Sequence, residues 1–107
     1  MKRSKLSDSG ARGWFIGDFP EAVLRTKEFE VCYQDNSPGV SIPHYHKEIT
    51  EITLVISGRV LINGEIFTAG DIVILYPNDI CQLEYLEDTK IVTIKSPSVP
   101  LDKHYLN

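Results

Sequence analysis

The sequence predicts an all-β protein, a barrel or sandwich of short antiparallel strands, and three observations carry that expectation. Helical periodicity is hard to find over any long window. Short runs rich in Val, Ile, Thr, Tyr and Phe recur instead, each closed by Gly, Pro, Asn or Asp. About nine such runs fill 107 residues, and that many short strands bury their apolar faces most economically by closing on themselves.

Taken in order, the first dozen residues (1–12) read as an arm that packs on the barrel or swaps onto a partner. A strand over 13–16 follows Gly13 with Trp14, Phe15 and Ile16. The run F-P-E-A-V-L-R-T (19–26) is the one plausible helical turn, and a short one. Strands are expected over 29–34, ended by N-S-P-G, and over 40–46, which carries Pro43, His44 and His46. Along 51–57, alternation puts Glu51, Thr53 and Val55 on one face and Ile52, Leu54 and Ile56 on the other, and Ser57-Gly58 turns the chain. Strands 59–62 and 65–68 flank Asn63-Gly64, the pair that best tolerates the positive φ angles of a two-residue type I′ turn. After Ala69-Gly70 come strands 71–75 and 79–85, separated by Tyr76-Pro77-Asn78-Asp79, and then 90–95 beyond Leu86–Thr89. The tail 97–107 is the second arm.

Composition narrows the function classes. With 42% hydrophobic and 24% charged residues, the chain suits one domain spanning 1–107. Its net charge of -4 arises from 15 acidic and 11 basic residues mixed along the chain, which leaves no basic face for nucleic acid. No apolar run approaches the roughly 20 residues of a membrane helix. The segment M-K-R-S-K-L-S-D-S-G-A-R lacks the apolar block of a secretory signal. A cytoplasmic protein is therefore expected, in which Cys32 and Cys81 are buried thiols rather than a disulfide framework.

The chemistry concentrates in P-H-Y-H-K-E-I-T-E-I-T-L-V-I-S-G (43–58). On a strand, His44 and His46 point to the same face with backbones about 6–7 Å apart. Neutral imidazole is the usual nitrogen ligand of Zn, Fe, Mn and Ni, and two histidines with one carboxylate leave coordination positions open. Glu51 faces the inside of an apolar strand, where a carboxylate asks for a cation or another partner. The plainer alternative is an exposed strand end where His44 and His46 hydrogen-bond near Glu48 and Glu51.

That stretch resembles the first motif of the cupins: His44-x-His46, four residues, Glu51, six residues, Gly58, with Gly39 ahead of the histidines, one residue nearer than the usual pattern has it. Downstream, G-D-I-V-I-L-Y-P-N-D-I-C-Q (70–82) is similar to the second cupin motif, a Gly, a Pro-x-Gly turn, and a His three residues after the turn's Gly. The resemblance covers about 29–95. It implies an antiparallel jelly-roll β-barrel, often a homodimer formed by exchanged terminal strands, with a divalent metal ion in one mouth. Carried onto this chain, the ligands are His44, His46 and Glu51, with Gln82 at the fourth position and Asp79 where the turn's Gly is usual. A Gln carbonyl is a weaker ligand than imidazole for Fe, Zn or Ni, so the resemblance leaves three strong ligands and one weak one.

A small barrel holds one small molecule among its inward residues. The wall is expected to comprise Tyr33, Tyr45, Val55, Tyr76, Gln82, Glu84 and Thr93, with Trp14 or Phe15 over a mouth. Lys95 reads most simply as an exposed lysine, or else as a cation that meets an acidic substrate. Three functions follow from the resemblance. One is a metal-dependent oxygenase or isomerase, with Glu84 or Tyr76 nearest for proton transfer. Another is a non-catalytic module that binds a carbohydrate-like or acidic ligand. The third is a metal-free sugar-nucleotide isomerase or epimerase using His and Tyr, against which the intact ligand set of the first motif argues.

Overall fold

The structure is a computed structural model that describes residues 1–106. Its strands are β1 (Trp14–Gly17), β2 (Leu24–Arg25), β3 (Glu30–Asn36), β4 (Gly39–Val40), β5 (His44–Tyr45), β6 (Thr50–Ser57), β7 (Arg59–Ile62), β8 (Glu65–Thr68), β9 (Ile72–Leu75), β10 (Leu83–Tyr85), β11 (Thr89–Ser96) and β12 (His104–Tyr105). A six-stranded sheet in the order β2-β1-β3-β11-β6-β9 faces a four-stranded one in the order β4-β10-β7-β8, and β12 pairs with β5. Every strand pair among the described residues is antiparallel except β1 with β2. The all-β, antiparallel expectation therefore holds.

The turns follow from residues that accept left-handed backbone. Asn63 (φ 49°) and Gly64 (φ 83°) close the β7–β8 hairpin as the type I′ signal predicts. Gly58 (φ 91°) turns β6 into β7, and a Cβ there would collide with the Asp88 carbonyl, so both conformation and space demand glycine.

Three expectations change. The 19–26 helical turn is a single turn, Ala22 N–H to the Phe19 carbonyl, that gives way to β2. The N–H groups of Val23 and Thr26 donate to the Phe15 and Gly17 carbonyls of the neighbouring β1 segment instead of to a helix. The 40–46 run splits into β4 and β5, because Pro43 supplies no N–H for a continuous ladder. The 79–85 run shortens to β10: Asp79 is still held in the turn, its N–H donating to the Tyr76 carbonyl. Of the two paths expected for the arms, the described residues of this chain take packing on the barrel. Two 3₁₀ turns (Leu6–Asp8 and Ala11–Gly13) lead into β1, and the tail supplies β12.

Polarity inside the barrel changes in layers. The inward residues of β6 are Glu51, Thr53 and Val55, and their partners on β11 are Lys95, Thr93 and Ile91. The Thr53 and Thr93 hydroxyls share a 2.9 Å hydrogen bond. Below this layer, Val55 and Ile91 join Val60, Ile62 and Cys81 in the buried core, packed by Phe67, Val73, Leu75, Leu83 and Tyr85. One end of the barrel is thus walled by apolar side chains, and the polar layers line the other.

Candidate functional site

His44 lies on β5, His46 one residue beyond its end, and Glu51 near the start of β6, so a short loop over 47–49 joins the parts of the site. That loop is fixed from the far end of the chain. The Asp102 carboxylate accepts hydrogen bonds from the backbone N–H groups of Lys47 (3.0 Å), Glu48 (2.8 Å) and Ile49 (3.2 Å), and it also meets His104 Nε2 at 3.0 Å. Burial pushes the Asp102 carboxyl up, but these donors overcome it and hold the group at about 2. Next to Asp102, β12 pairs with β5, His104 opposite Tyr45 and Tyr105 opposite His44.

One ligand-type atom from each of His44, His46 and Glu51 lies within 4.8 Å of the others. The imidazole rings sit edge to face with centroids 5.4 Å apart, and His46 Nδ1 is 3.6 Å from Glu51 Oε2. Nδ1 of His44 faces the Ile42 carbonyl at 3.4 Å; donating its proton there leaves the lone pair on Nε2. Both histidines are buried, and His46 Nε2 and Glu51 Oε2 have no hydrogen-bond partner. Buried polar atoms normally find partners, so two orphans in one cluster are exceptional.

The electrostatics match. Burial, reinforced by the Lys95 charge, pushes His46 down to about 4; burial and then Lys103 lower His44 as well. Both imidazoles are therefore neutral at pH 7, the form that ligates metals. Burial raises the Glu51 carboxyl, since nothing among the described residues completes its solvation. Two neutral nitrogens and one under-partnered carboxylate form a donor set that fits a divalent cation.

His44 and Glu51 of the cluster line a chamber of about 470 Å³ between the two sheets, and His46 stands behind them. Of the residues expected on its wall, Thr93 lines it, as do Trp14 and Lys95. Tyr33 and Phe15 instead line a smaller depression with Ser4, Lys5, Leu6 and Val23, and Val55 is sealed in the core. Tyr76 is exposed, Tyr45 stacks beside His104, and neither borders the chamber. Gln82 and Glu84 lie off the wall, whereas Cys81, Leu83 and Tyr85 lie on it.

The difference at 81–85 is one of parity. In a strand a one-residue slip reverses every side chain. The left-handed residue of the 76–79 turn is Asn78 (φ 71°), so the position three residues after it is Cys81 rather than Gln82. Cys81 exchanges both backbone hydrogen bonds with His44, its N–H to the His44 carbonyl at 2.8 Å and the reverse at 3.2 Å. Its side chain is consequently beside His44 on the inner face, though outside the three-atom cluster. The backbone of Gln82 is held by the Asn63 side chain and the Asn63 N–H, and its own side chain is exposed. Sequence reasoning also missed Arg12, Glu30 and Lys103 on the wall. Alternation from Cys32 would have found Glu30, but nothing local signals the other two, which come from the arms.

No protein-family model matches the chain, and no curated protein is similar to it in sequence. Solved structures are. An uncharacterized conserved protein with a double-stranded β-helix domain from Klebsiella pneumoniae is 25% identical, with 79% of this chain and 80% of that one covered and a TM-score of 0.68. A cupin protein from Bacteroides fragilis is 24% identical over 71% of each chain, with a TM-score of 0.57. Pac13 from Streptomyces, a nucleoside dehydratase, is 14% identical over all of this chain and 92% of its own, with a TM-score of 0.71. With two facing sheets, a polar mouth and these structural likenesses, the chain has the cupin fold, the double-stranded β-helix barrel of that superfamily.

Proposed function

We propose that this protein is a one-domain cupin that holds a divalent metal ion, Fe, Mn, Zn or Ni, on His44, His46 and Glu51 and binds a small polar metabolite in the chamber beside it. The observation that carries the reading is the pair of orphaned buried atoms, His46 Nε2 and Glu51 Oε2, in a cluster whose ligand atoms lie within 4.8 Å of one another. A metal supplies what both atoms lack. Gln82 takes no part, because its side chain lies outside the barrel.

When bound, the ion supplies a Lewis acid that polarises a ligand oxygen or, as Fe(II), a centre for dioxygen chemistry. The chain does the rest. His44 and His46 present neutral nitrogens, Asp102 fixes the loop between the ligands, and apolar side chains under Thr53 and Thr93, among them Val60, Ile62 and Ile91, line the deeper wall of the chamber. Glu84 and Tyr76 lie off the chamber, which leaves Tyr85, pushed up to about 12 by burial, as the phenol on its wall.

Two further parts belong to the proposal. Both cysteines are free and buried, which suits a reducing, cytoplasmic setting. Two copies pair through the outer face of β9, β6 and β11, where Ile72 (59% exposed), Ile74, Leu54, Ile56 and Ile94 form an apolar surface on adjacent strands.

The test is elemental analysis of protein expressed with each of the four metals supplied. Wild type is expected to retain stoichiometric metal, and His44→Ala with His46→Ala none; a wild-type protein that carries no metal under any supply overturns the reading. Turnover that survives complete chelation would instead indicate the metal-free acid–base chemistry, and melting shifts without turnover a pure binding module.

A further inference from the structure

Three side-chain cations border the chamber, Arg12 from the N-terminal arm, Lys95 from β11 and Lys103 from the tail. Among the described residues none of them has a carboxylate within 4.0 Å. The carboxylates that border the same space are otherwise engaged or distant. Glu51 belongs to the His44/His46 cluster, Glu30 accepts a 2.7 Å hydrogen bond from the Ser98 hydroxyl, and Glu21 is exposed at the rim.

Lys95 is the informative one. Its register partners are Glu51 on β6 and Glu30 on β3, which places its side chain on the inner face and next to the ligand cluster. The ammonium stands 4.7 Å over the Trp14 ring. A ring face holds a cation from one side and leaves its N–H donors free on the other. Lys103 is braced in the same way, 5.5 Å over Tyr105. Exposed lysines are ordinarily solvated and need no account, but both of these are half-buried and lie at the wall of a cavity.

Charge balance points the same way. Three cations and three carboxylates border the chamber, so a divalent ion on Glu51 would leave a net charge of plus two facing the ligand. A cavity of about 470 Å³ suits a molecule the size of a sugar.

We infer that the chamber selects a compact, sugar-sized oxyanion, a carboxylate or phosphate held by Lys95 and Lys103 with Arg12 at the rim, while a neighbouring oxygen of the same molecule faces the His44/His46/Glu51 cluster. The inference deepens the metal reading, and it rests on that reading only for the second anchor. Lysine ammoniums recognise oxyanions through charge-assisted hydrogen bonds, which are roughly twice as strong as neutral ones.

The test is isothermal titration of the full chain, metal-loaded and metal-free, with two matched pairs: galacturonate against galactose, and glycerol phosphate against glycerol. Each acid is expected to bind at least about tenfold more tightly than its neutral twin. Lys95→Gln and Lys103→Gln should each lower acid affinity by about tenfold while metal content is unchanged, and Lys90→Gln, on the same strand but exposed outside, should change nothing. A preference for galacturonate identifies sugar acids as the class, and one for glycerol phosphate identifies phosphate esters; both support the inference. It is overturned if the neutral twins bind equally well, if neither acid binds with Kd below about 10 mM, or if the two lysine variants retain full acid affinity. Lysine-dependent acid binding by a protein that takes up no metal would sustain this inference while refuting the metal site.

Discussion

Glu51 shows how one residue can serve function against stability. Its carboxylate is buried with an orphaned oxygen, and burial raises its pKa, so in metal-free protein the charged form opposes folding. Glu51→Gln should therefore abolish metal uptake yet stabilise the metal-free protein by about 1 kcal/mol, read as a melting point a few degrees higher. His46 bears on pH. Its pKa falls from 6.5 to about 4 on folding, so between those values the unfolded chain binds more protons, and the associated stability is present above pH 6.5 and lost as pH falls toward 4. The size is on the order of 3 kcal/mol. Metal-free His46→Gln should flatten the melting-point slope across that window; an unchanged slope would contradict a buried neutral imidazole. At this scale the sequence made His44, His46 and Glu51 legible, because their spacing and the alternation of 51–55 are local. Gln82 was misplaced because the turn residue with positive φ is Asn78, and which residue of Asn78-Asp79 takes that conformation depends on its N–H reaching the His46 carbonyl, a contact far away in sequence.

Among the elements, the tail matters most to the site. Asp102 caps three N–H groups of the loop that spaces His46 from Glu51, and β12 pairs with the strand that carries His44. Asp102→Ala leaves three N–H groups without their acceptor, which should lower stability by about 2–3 kcal/mol and weaken metal binding by about tenfold or more. Asp102→Asn keeps one acceptor oxygen and should fall between the two in both measurements. Equal metal affinity in all three proteins would mean that the tail only supports the fold. The β7–β8 hairpin is legible in the amino-acid sequence, since Asn63-Gly64 dictates its own turn. The tail strand is not, because P-S-V-P-L-D-K-H-Y-L-N carries no alternation and forms β12 only through pairing with β5.

Across the whole molecule, the barrel sorts polarity along its axis and sends a second apolar surface outward. The layers Glu51/Lys95, Thr53/Thr93 and Val55/Ile91 run from mouth to floor, so one strand pair both builds the core and carries the site. On the opposite face of the same strands, Leu54, Ile56, Ile72, Ile74 and Ile94 are solvent-exposed in the single chain. Sedimentation at micromolar concentration is expected to give a dimer, and Ile72→Lys a folded monomer, since a lysine at a self-complementary interface meets its own copy. A monomeric wild type would contradict the proposed pairing. The barrel itself is legible from run length and turn residues, whereas the chamber's cations are not: Arg12 and Lys103 reach it on arms whose path no local pattern encodes.

The central claim, a metal on His44, His46 and Glu51, is tested most directly by anomalous diffraction at the absorption edge of the metal that the purified protein carries. One strong peak is expected, bonded to all three side chains at about 2.0–2.2 Å from the two imidazole nitrogens and the carboxylate oxygen. A metal peak elsewhere, or protein that crystallises without metal after supply of Fe, Mn, Zn and Ni, would contradict it.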